Sequence, residues 1–232
     1  METISNLGPI FKLSINSLFM SVWPIWAFSF INIMATYYGT TEAAAQYQMR
    51  TLGIMSIVLP ECFNFTSQIL SGNALGEFKP NKAKKIYKVC MFLASILTLI
   101  WIVVLLFARD SITHMFTDMA QVIDLMDDAW INFLIFLFFE CTLVLSTSLI
   151  KAAGRQFYGA IVNGTGYMLL GVPISYYCAF VKEMGVSGFW IGPMIAAIFG
   201  TIVLNIILCT MDWPKLIEEI KEREEKENEL RK

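Results

Sequence analysis

Long apolar stretches separated by short polar loops dominate the hydrophobic pattern of the chain. A helix needs about twenty apolar residues to cross the hydrocarbon core of a membrane, and it satisfies its backbone hydrogen bonds internally. Six segments meet this requirement, so the sequence predicts an all-α integral membrane protein, built as a six-transmembrane-helix bundle. The predicted spans cover about residues 13–39, 43–70, 86–108, 129–150, 157–181 and 188–209.

The composition agrees with a membrane environment. Charged residues make up 16% of the 232 residues and hydrophobic residues 56%, whereas about 25% of the residues in a soluble domain are charged. The mean hydropathy is +0.61. The net charge of -2 argues against nucleic acid as a partner. We therefore expect the lipid bilayer to surround most of the protein.

The basic residues of the loops predict the orientation, because Lys and Arg accumulate on the cytoplasmic side. With a cytoplasmic N-terminus, the inner loops hold Lys79, Lys82, Lys84, Lys85, Lys151 and Arg155, while Arg109 and Lys182 lie outside and Arg50 lies near the outer end of the second span. This asymmetry favours both termini in the cytoplasm.

Two terminal segments lie outside the predicted membrane lobe of residues 13–209. Residues 1–12 are expected to form a cytoplasmic N-terminus, and residues 210–232 a charged cytoplasmic tail. Acids and bases in the tail are spaced three or four residues apart, as Glu219 and Arg223 are, and this spacing supports a solvated helix.

Three tryptophans, Trp130, Trp190 and Trp213, lie near the ends of predicted spans. The indole ring is amphipathic and is enriched where the membrane meets water. We therefore expect these three side chains to anchor the bundle at the lipid–water interface.

Two acidic residues inside predicted spans are the candidate functional residues. Glu140 lies near the middle of the fourth span, where a charged carboxylate costs from about 3 to more than 10 kcal/mol. Such a group is expected to hold a proton in one conformation and release it in another; a structural contact between helices is the alternative. Glu61 follows Pro60 in the second span, and polar groups and water gather at proline kinks. A shared aqueous cavity containing Glu61 and Glu140 is therefore a hypothesis.

The residue types that most enzyme sites require are scarce. His114 is the only histidine of the chain and lies in an outer loop. Histidine-based metal clusters and catalytic triads are therefore not predicted. We expect no catalytic residues, no metal site and no cofactor, and the protein is not predicted to be an enzyme.

The loops and span ends carry five segments whose order and spacing resemble those of multidrug and toxic compound extrusion (MATE) transporters, most closely the eukaryotic branch. The likeness covers about residues 10–215. The segments are SGNALGE (71–77), KAAGRQFYGAIVN (151–163), GVP (171–173), GVSGFWIG (185–192) and DW (212–213).

The resemblance implies the C-terminal six-helix lobe of a twelve-helix transporter with cytoplasmic termini. It implies secondary antiport of organic cations or other xenobiotics in exchange for protons or sodium. Glu140 matches the acid that this family carries in its tenth span, where it takes part in cation coupling and substrate binding. The implied partner is a second six-helix lobe, either another copy of the chain or an N-terminal half encoded upstream of Met1. The resemblance is compatible with a location in the plasma membrane and with one in a vacuolar or vesicular membrane.

The first span departs from the family pattern. Eukaryotic relatives carry acids at two positions that here hold Pro24 and Ser29, and Glu61 is an acid that the family lacks at its position. This departure motivates an alternative, a degenerate and non-transporting membrane lobe that serves as an interaction module. A third possibility is a lipid-linked saccharide flippase of the wider superfamily, which shares the architecture but fits the five sequence segments less well.

Overall fold

The computed structural model of the protein describes residues 7–230, which form helices joined by short turns. Within this part of the chain there is no β-strand, so the predicted all-α class is confirmed. The helices are α1 (Leu7–Tyr38), α2 (Thr40–Gly76), α3 (Pro80–Phe107), α4 (Arg109–Phe116), α5 (Ala120–Ala152), α6 (156–181), α7 (Gly185–Thr210) and α8 (Trp213–Leu230).

Six of these helices, α1, α2, α3, α5, α6 and α7, pass through the six predicted spans. By length and composition alone, four are able to cross a membrane: Ser14–Tyr38, Pro80–Phe107, Ala120–Ala152 and Gly185–Thr210. The other two are α2, which is more polar, and α6, which changes between α-helical and π-helical winding. The span limits and the limits of the two terminal segments stay predictions, and residues 1–6 lie outside the described residues.

Helix α5 lies at the centre of the bundle and packs against α2, α3 and α7. Apolar residues occur on all sides of this helix, which is typical of a helix that is surrounded by protein. Met126, Phe133 and Phe136 are each fully buried. The central position of α5 places its polar residues, Glu140 among them, in the interior of the lobe.

The three tryptophans predicted at the lipid interface lie in the protein interior, so that expectation is wrong. Trp130 and Trp190 are fully buried, and Trp213 is 7% exposed. The Trp190 ring centroid lies 4.9 Å from that of Phe133 and 5.4 Å from that of Phe136. The space between α5 and α7 is filled by these large rings, whose packing contributes about 0.5–1.5 kcal/mol per pair beyond burial.

Helices α6 and α7 approach each other at glycines of the sequence segments described above. A Cβ atom on Gly192 would overlap the backbone carbonyl oxygen of Gly171 and the Ser175 hydroxyl. The Ser175 hydroxyl also donates a hydrogen bond to the Phe189 carbonyl, at 2.9 Å. Small residues allow such close backbone contact between membrane helices. The two helices therefore pack closely side by side at these glycines.

The turn between α5 and α6 is set by Gly154, which has a φ of 70°. In this left-handed conformation the backbone N–H of Arg155 donates to the carbonyl of Ile150, at 3.0 Å. Glycine is the residue best suited to end a helix in this way. The turn brings Arg155 next to α8.

Residues 71–77 form the junction between α2 and α3. The Ser71 side chain is buried, and its hydroxyl donates to the carbonyl of Ala83 at 3.3 Å. At the end of the segment, Glu77 is exposed and accepts a hydrogen bond from Lys82, which is the main reason that its pKa is lowered. This segment therefore fixes the hairpin of two helices.

The predicted tail is helical, as expected, but its first turns are docked onto the lobe. Trp213 and Leu216 are buried in the main core, and the Lys84 ammonium lies 4.5 Å from the Trp213 ring centroid. Arg155 forms an ion pair with Glu219, at 2.8 Å. The apolar residues at the start of α8 explain this docking, because only its later part is strongly charged.

Candidate functional site

A cavity of about 520 Å³ lies between α1, α2 and α5. Small-molecule sites have volumes of roughly 300–1,000 Å³, with mostly apolar walls and a few polar groups. This cavity fits that description, since its lining is largely aliphatic and aromatic. Four residues with charged side chains line it: Arg50, Glu61, Glu140 and Lys151.

Glu140 is the buried acid of the site. It is 7% exposed, and one of its carboxylate oxygens accepts a hydrogen bond from the Tyr167 hydroxyl of α6. Tyr167 is itself 1% exposed. A buried polar group needs such a partner, because an unsatisfied one costs about 1–3 kcal/mol or more when it is charged. The carboxyl group is therefore held at a fixed place, with a neutral donor beside it.

The Phe28 ring lines the cavity and packs against a cluster of aromatic residues. The Phe28 ring of α1 lies 5.6 Å from Phe136 and 5.8 Å from Trp190, centroid to centroid. The guanidinium carbon of Arg50 lies 3.8 Å from the Phe28 ring centroid. This is a cation–π contact, which is worth about 0.5–2 kcal/mol depending on its exposure. Arg50 and Glu140 both line this cavity.

Glu61 is half-buried and lines the same cavity. Its carboxylate accepts a hydrogen bond from the Asn64 side-chain amide, at 2.8 Å. Asn64 lies three residues further along the same helix, so this bond is local. Lys151 of α5 is the fourth charged residue of the cavity.

The two acids lie at about the same height along the bundle. A Cβ on Gly53 of α2 would contact Phe133 of α5 at 3.4 Å, and the hydroxyl of Ser148 donates to that of Ser67 at 2.8 Å. The two helices therefore run parallel with an offset of about eighty residues. This register places Glu61 opposite the part of α5 that carries Glu140.

Each of the two helices carries an acid and a base eleven residues apart, in opposite order. Eleven residues make about three helical turns, or about 16 Å, so the members of each pair share one helix face. On α2 the base, Arg50, precedes Glu61, and on α5 Glu140 precedes the base, Lys151. The two acids therefore lie in the middle of the cavity, with one base towards each end.

The structure brings both predicted acids into one cavity, as hypothesised from the sequence. Sequence reasoning missed Tyr167 and Phe28, and it used Arg50 only as an indicator of orientation. An available signal was the repeated spacing of eleven residues between opposite charges within or at the end of two spans. No comparable signal identifies Tyr167, because its contact with Glu140 depends on the winding of α6.

The two positions where the first span departs from the family pattern differ in the structure. Pro24 lines the cavity. Ser29 is exposed, and its hydroxyl donates to the carbonyl of Ile25 at 2.9 Å. An acid at position 24, which the resemblance implies for relatives, would therefore add charge to the cavity, whereas position 29 faces away from it.

Ionisable residues in the internal cavity of a helical membrane bundle are typical of transporters, because such residues mark substrate and ion pathways. The MatE family model matches residues 17–177. This match covers more than half of the chain, so the protein belongs to the MatE family. Members of this family are transporters and not enzymes. The match does not favour the alternative of a non-transporting interaction module.

Curated relatives include multidrug and toxin extrusion protein 1 from two mammals. The chain is 25% identical to the protein of Oryctolagus cuniculus over 221 residues, covering 95% of this chain and 39% of the relative. It is 26% identical to the Homo sapiens protein over 219 residues, covering 94% of this chain and 38% of the relative. The chain thus spans about two fifths of the length of these relatives.

Solved structures of MATE transporters share the fold. The eukaryotic MATE transporter AtDTX14 superimposes with a TM-score of 0.90 and 22% identity, over 96% of this chain and 50% of that protein. The Vibrio cholerae MATE transporter VcmN in its bent form gives a TM-score of 0.83 and 17% identity, over 91% and 48%. The predicted resemblance to one lobe of a twelve-helix transporter is confirmed at the level of the fold.

Proposed function

We propose that the protein is one lobe of a secondary active antiporter that exports organic cations or other xenobiotics in exchange for protons or sodium. The observation that carries this proposal is the buried Glu140 carboxyl, which is held by Tyr167 inside a cavity of ligand size. A proton, a sodium ion or a cationic substrate is able to neutralise this group, but they compete for the same charge. Competition of this kind links the export of one to the import of the other.

Glu61 is proposed as the second acid of this exchange. It lies in the same cavity and at about the same height as Glu140, yet it is half-buried. An acid with more contact to water is the more accessible group for an arriving cation, whereas the enclosed one discriminates more strongly between charged and neutral states. Glu61 therefore serves substrate entry and Glu140 serves coupling.

A second six-helix lobe is proposed to cover the open side of the cavity. Ile25, Val58 and Phe65 line the cavity and are each more than half exposed. The partly exposed charges of Glu61 and Lys151 lie beside them, and lipid on that side would leave these charges poorly solvated. A second copy of this chain or an N-terminal half supplies the missing cover. This proposal fits the length of the chain, which spans about two fifths to one half of its relatives.

The proposed orientation places both termini in the cytoplasm, in either the plasma membrane or a vacuolar or vesicular membrane. The α2–α3 and α5–α6 turns then face the cytoplasm together with their lysines and Arg155, as the distribution of basic residues requires. The docking of α8 on the same end of the lobe, through Arg155 and Glu219, agrees with this orientation.

The test is efflux of a fluorescent organic cation from vesicles, measured at several external pH values with and without sodium. Glu140→Gln is expected to abolish the ion-dependent efflux, because a neutral amide cannot exchange a proton for a cation. The matched control is Glu183→Gln, which makes the same change at an exposed residue outside the cavity and is expected to leave efflux unchanged. Unchanged efflux in the Glu140 variant, with normal membrane insertion, would exclude this coupling role.

A further inference from the structure

Helix α3 lies at the edge of the lobe and presents a long apolar face to the outside. It packs mainly against α2 and α5, and the large apolar side chains on its other side, from Val89 to Phe107, are exposed. At 1.5 Å per residue, residues 89–107 cover about 28 Å, and the hydrocarbon core of a membrane is about 30 Å thick. The residues just before Val89 therefore lie in the headgroup region of one leaflet.

The lysines at this end of α3 differ in their partners. One of them contacts α8, as described above. Lys79 and Lys82 lie 3.1 and 3.0 Å from the Glu77 carboxylate. Lys85 and Lys88 are exposed, and neither forms an ion pair with a side chain that the structure describes. These two positive charges are therefore available to an anionic ligand.

Lys85 and Lys88 continue the apolar face of α3. Residues three and four apart on a helix are neighbours, so the two lysines lie on the same side as Val89 and Phe92, which are 49% and 65% exposed. Ammonium groups form charge-assisted hydrogen bonds with phosphate oxygens. The order of chemistry along this face, positive charge followed by apolar surface, is complementary to a phospholipid with a negative headgroup.

The base at the other end of this face is already paired. Arg109 follows the end of α3, and it lies 2.8 Å from Asp127 and 3.5 Å from Asp110. The two acids compensate its charge. The face therefore differs in charge between its two ends, and it distinguishes the two leaflets of the membrane.

We propose that the face of α3 formed by Lys85, Lys88, Val89 and Phe92 binds an anionic phospholipid. The two ammonium groups bind its phosphate, and the two apolar side chains contact its acyl chains. This site goes beyond the proposed transport function, because it lies on α3, whereas the cavity lies between α1, α2 and α5. Only the choice of leaflet rests on the proposed orientation, which makes it the cytoplasmic leaflet, where anionic lipids are found.

The test is equilibrium binding of lipids to the purified protein in a neutral detergent, measured by native mass spectrometry. The probes are phosphatidylglycerol, which has a net negative charge, and phosphatidylcholine with the same acyl chains, which has none. Each lysine near an anionic lipid strengthens binding by a factor of about five. The wild-type protein is therefore expected to bind phosphatidylglycerol at least about tenfold more tightly than phosphatidylcholine.

Three variants separate the headgroup from the acyl chains. The double variant Lys85→Gln, Lys88→Gln is expected to lower the affinity for phosphatidylglycerol about twentyfold and to leave that for phosphatidylcholine nearly unchanged. Phe92→Ala is expected to weaken both lipids by the same factor, since their acyl chains are identical. The matched control is Lys182→Gln, which removes an exposed base outside this face and is expected to change neither affinity.

Glu77→Gln tests the same site in the opposite direction. It removes the carboxylate that accepts from Lys79 and Lys82, so phosphatidylglycerol is expected to bind severalfold more tightly. A lower affinity in this variant would contradict the role of positive charge at this end of α3.

The remaining outcomes decide whether the ligand is a lipid. Equal binding of the two lipids by the wild-type protein, or an unchanged affinity for phosphatidylglycerol in the double lysine variant, would overturn the site. Competition by water-soluble glycerophosphoglycerol at the concentration of the lipid would indicate a phosphate site in which acyl chains have no role. A dimer that binds neither lipid would indicate that a second copy of the chain covers this face. Both of these results would also contradict the proposal.

Discussion

Charged residues at the ends of the bundle and charged residues in the cavity differ in their partners. At the ends, Arg109 lies 2.8 Å from Asp127, and Arg155 lies 2.8 Å from Glu219. In the cavity, two acids and two bases line one space, but in the described part of the chain they form no direct ion pair. The acids there are hydrogen-bonded to an amide and a tyrosine hydroxyl instead.

This difference separates structural charges from charges that are available for binding. A half-exposed ion pair at the end of a helix is worth about 0–1 kcal/mol, and both partners are already used. A buried carboxyl with one neutral donor keeps most of its capacity to bind a cation, while the donor fixes its position. Under the proposed function, the charges that bind ligands lie between α2 and α5, and the ion pairs at the ends contribute little to stability.

The largest effect on this comparison is expected from Tyr167→Phe. The variant keeps the buried ring but removes the hydroxyl that donates to Glu140. Loss of a partner at a buried acceptor costs about 1–3 kcal/mol, so the thermal unfolding temperature in detergent should fall by several degrees. Cation efflux should fall about tenfold or more, since each 1.4 kcal/mol corresponds to a factor of ten.

Tyr176→Phe is the control for this variant, because Tyr176 lies on the same helix but is 53% exposed. It should change neither quantity. The thermal unfolding temperature of the double variant Glu140→Gln, Tyr167→Phe should lie little below that of the more affected single variant, because the effects of contacting residues are not independent. Additive losses would contradict a shared role of the two side chains.

An intermediate effect is expected from Glu61→Gln. Glu61 is half-buried and its hydrogen bond to Asn64 is local, so the amide replaces it without leaving a buried group unsatisfied. Efflux should fall about threefold, which corresponds to less than about 1 kcal/mol, and its dependence on pH should persist because Glu140 remains. Initial efflux rates across a pH series measure both properties. Complete loss of pH dependence would show that the two acids are equivalent.

The smallest effect is expected from Glu219→Gln, which removes a pair at the end of the bundle. Both side chains of this pair are about one third exposed, so the free energy of unfolding should change by about 1 kcal/mol or less. Cleavage within α8 during limited proteolysis should increase slightly, and efflux should not change. A loss of efflux as large as that in the Glu61 variant would remove the distinction between the two kinds of charge.

The sequence was sufficient for the fold class and for the two acids. Apolar stretches report membrane helices directly, and a carboxyl such as Glu140 stands out in the fourth span because it is costly there. The five segments fit the same family, and their glycines have physical roles: Gly154 ends α5, and Gly192 lies against α6.

Features that depend on packing between distant helices were not predictable in the same way. Trp190 lies near the end of a predicted span, yet its ring fills the interior between α5 and α7. Hydropathy does not distinguish a buried aromatic residue from one that faces lipid, since both environments are apolar. Arg50 was similarly ambiguous, because a base near a span end is able to reach either water or a cavity.

The winding of α6 has a consequence for the acid of the cavity. Tyr167 lies in the π-helical stretch Gly164–Gly171, where each turn holds more residues than in an α-helix. Rewinding this stretch by one residue would rotate Tyr167 by about 100° around the helix axis, which carries its hydroxyl away from Glu140. A slip of one residue in α6 is thus enough to exchange the donor of this carboxyl for water or an ion, without any movement of α5.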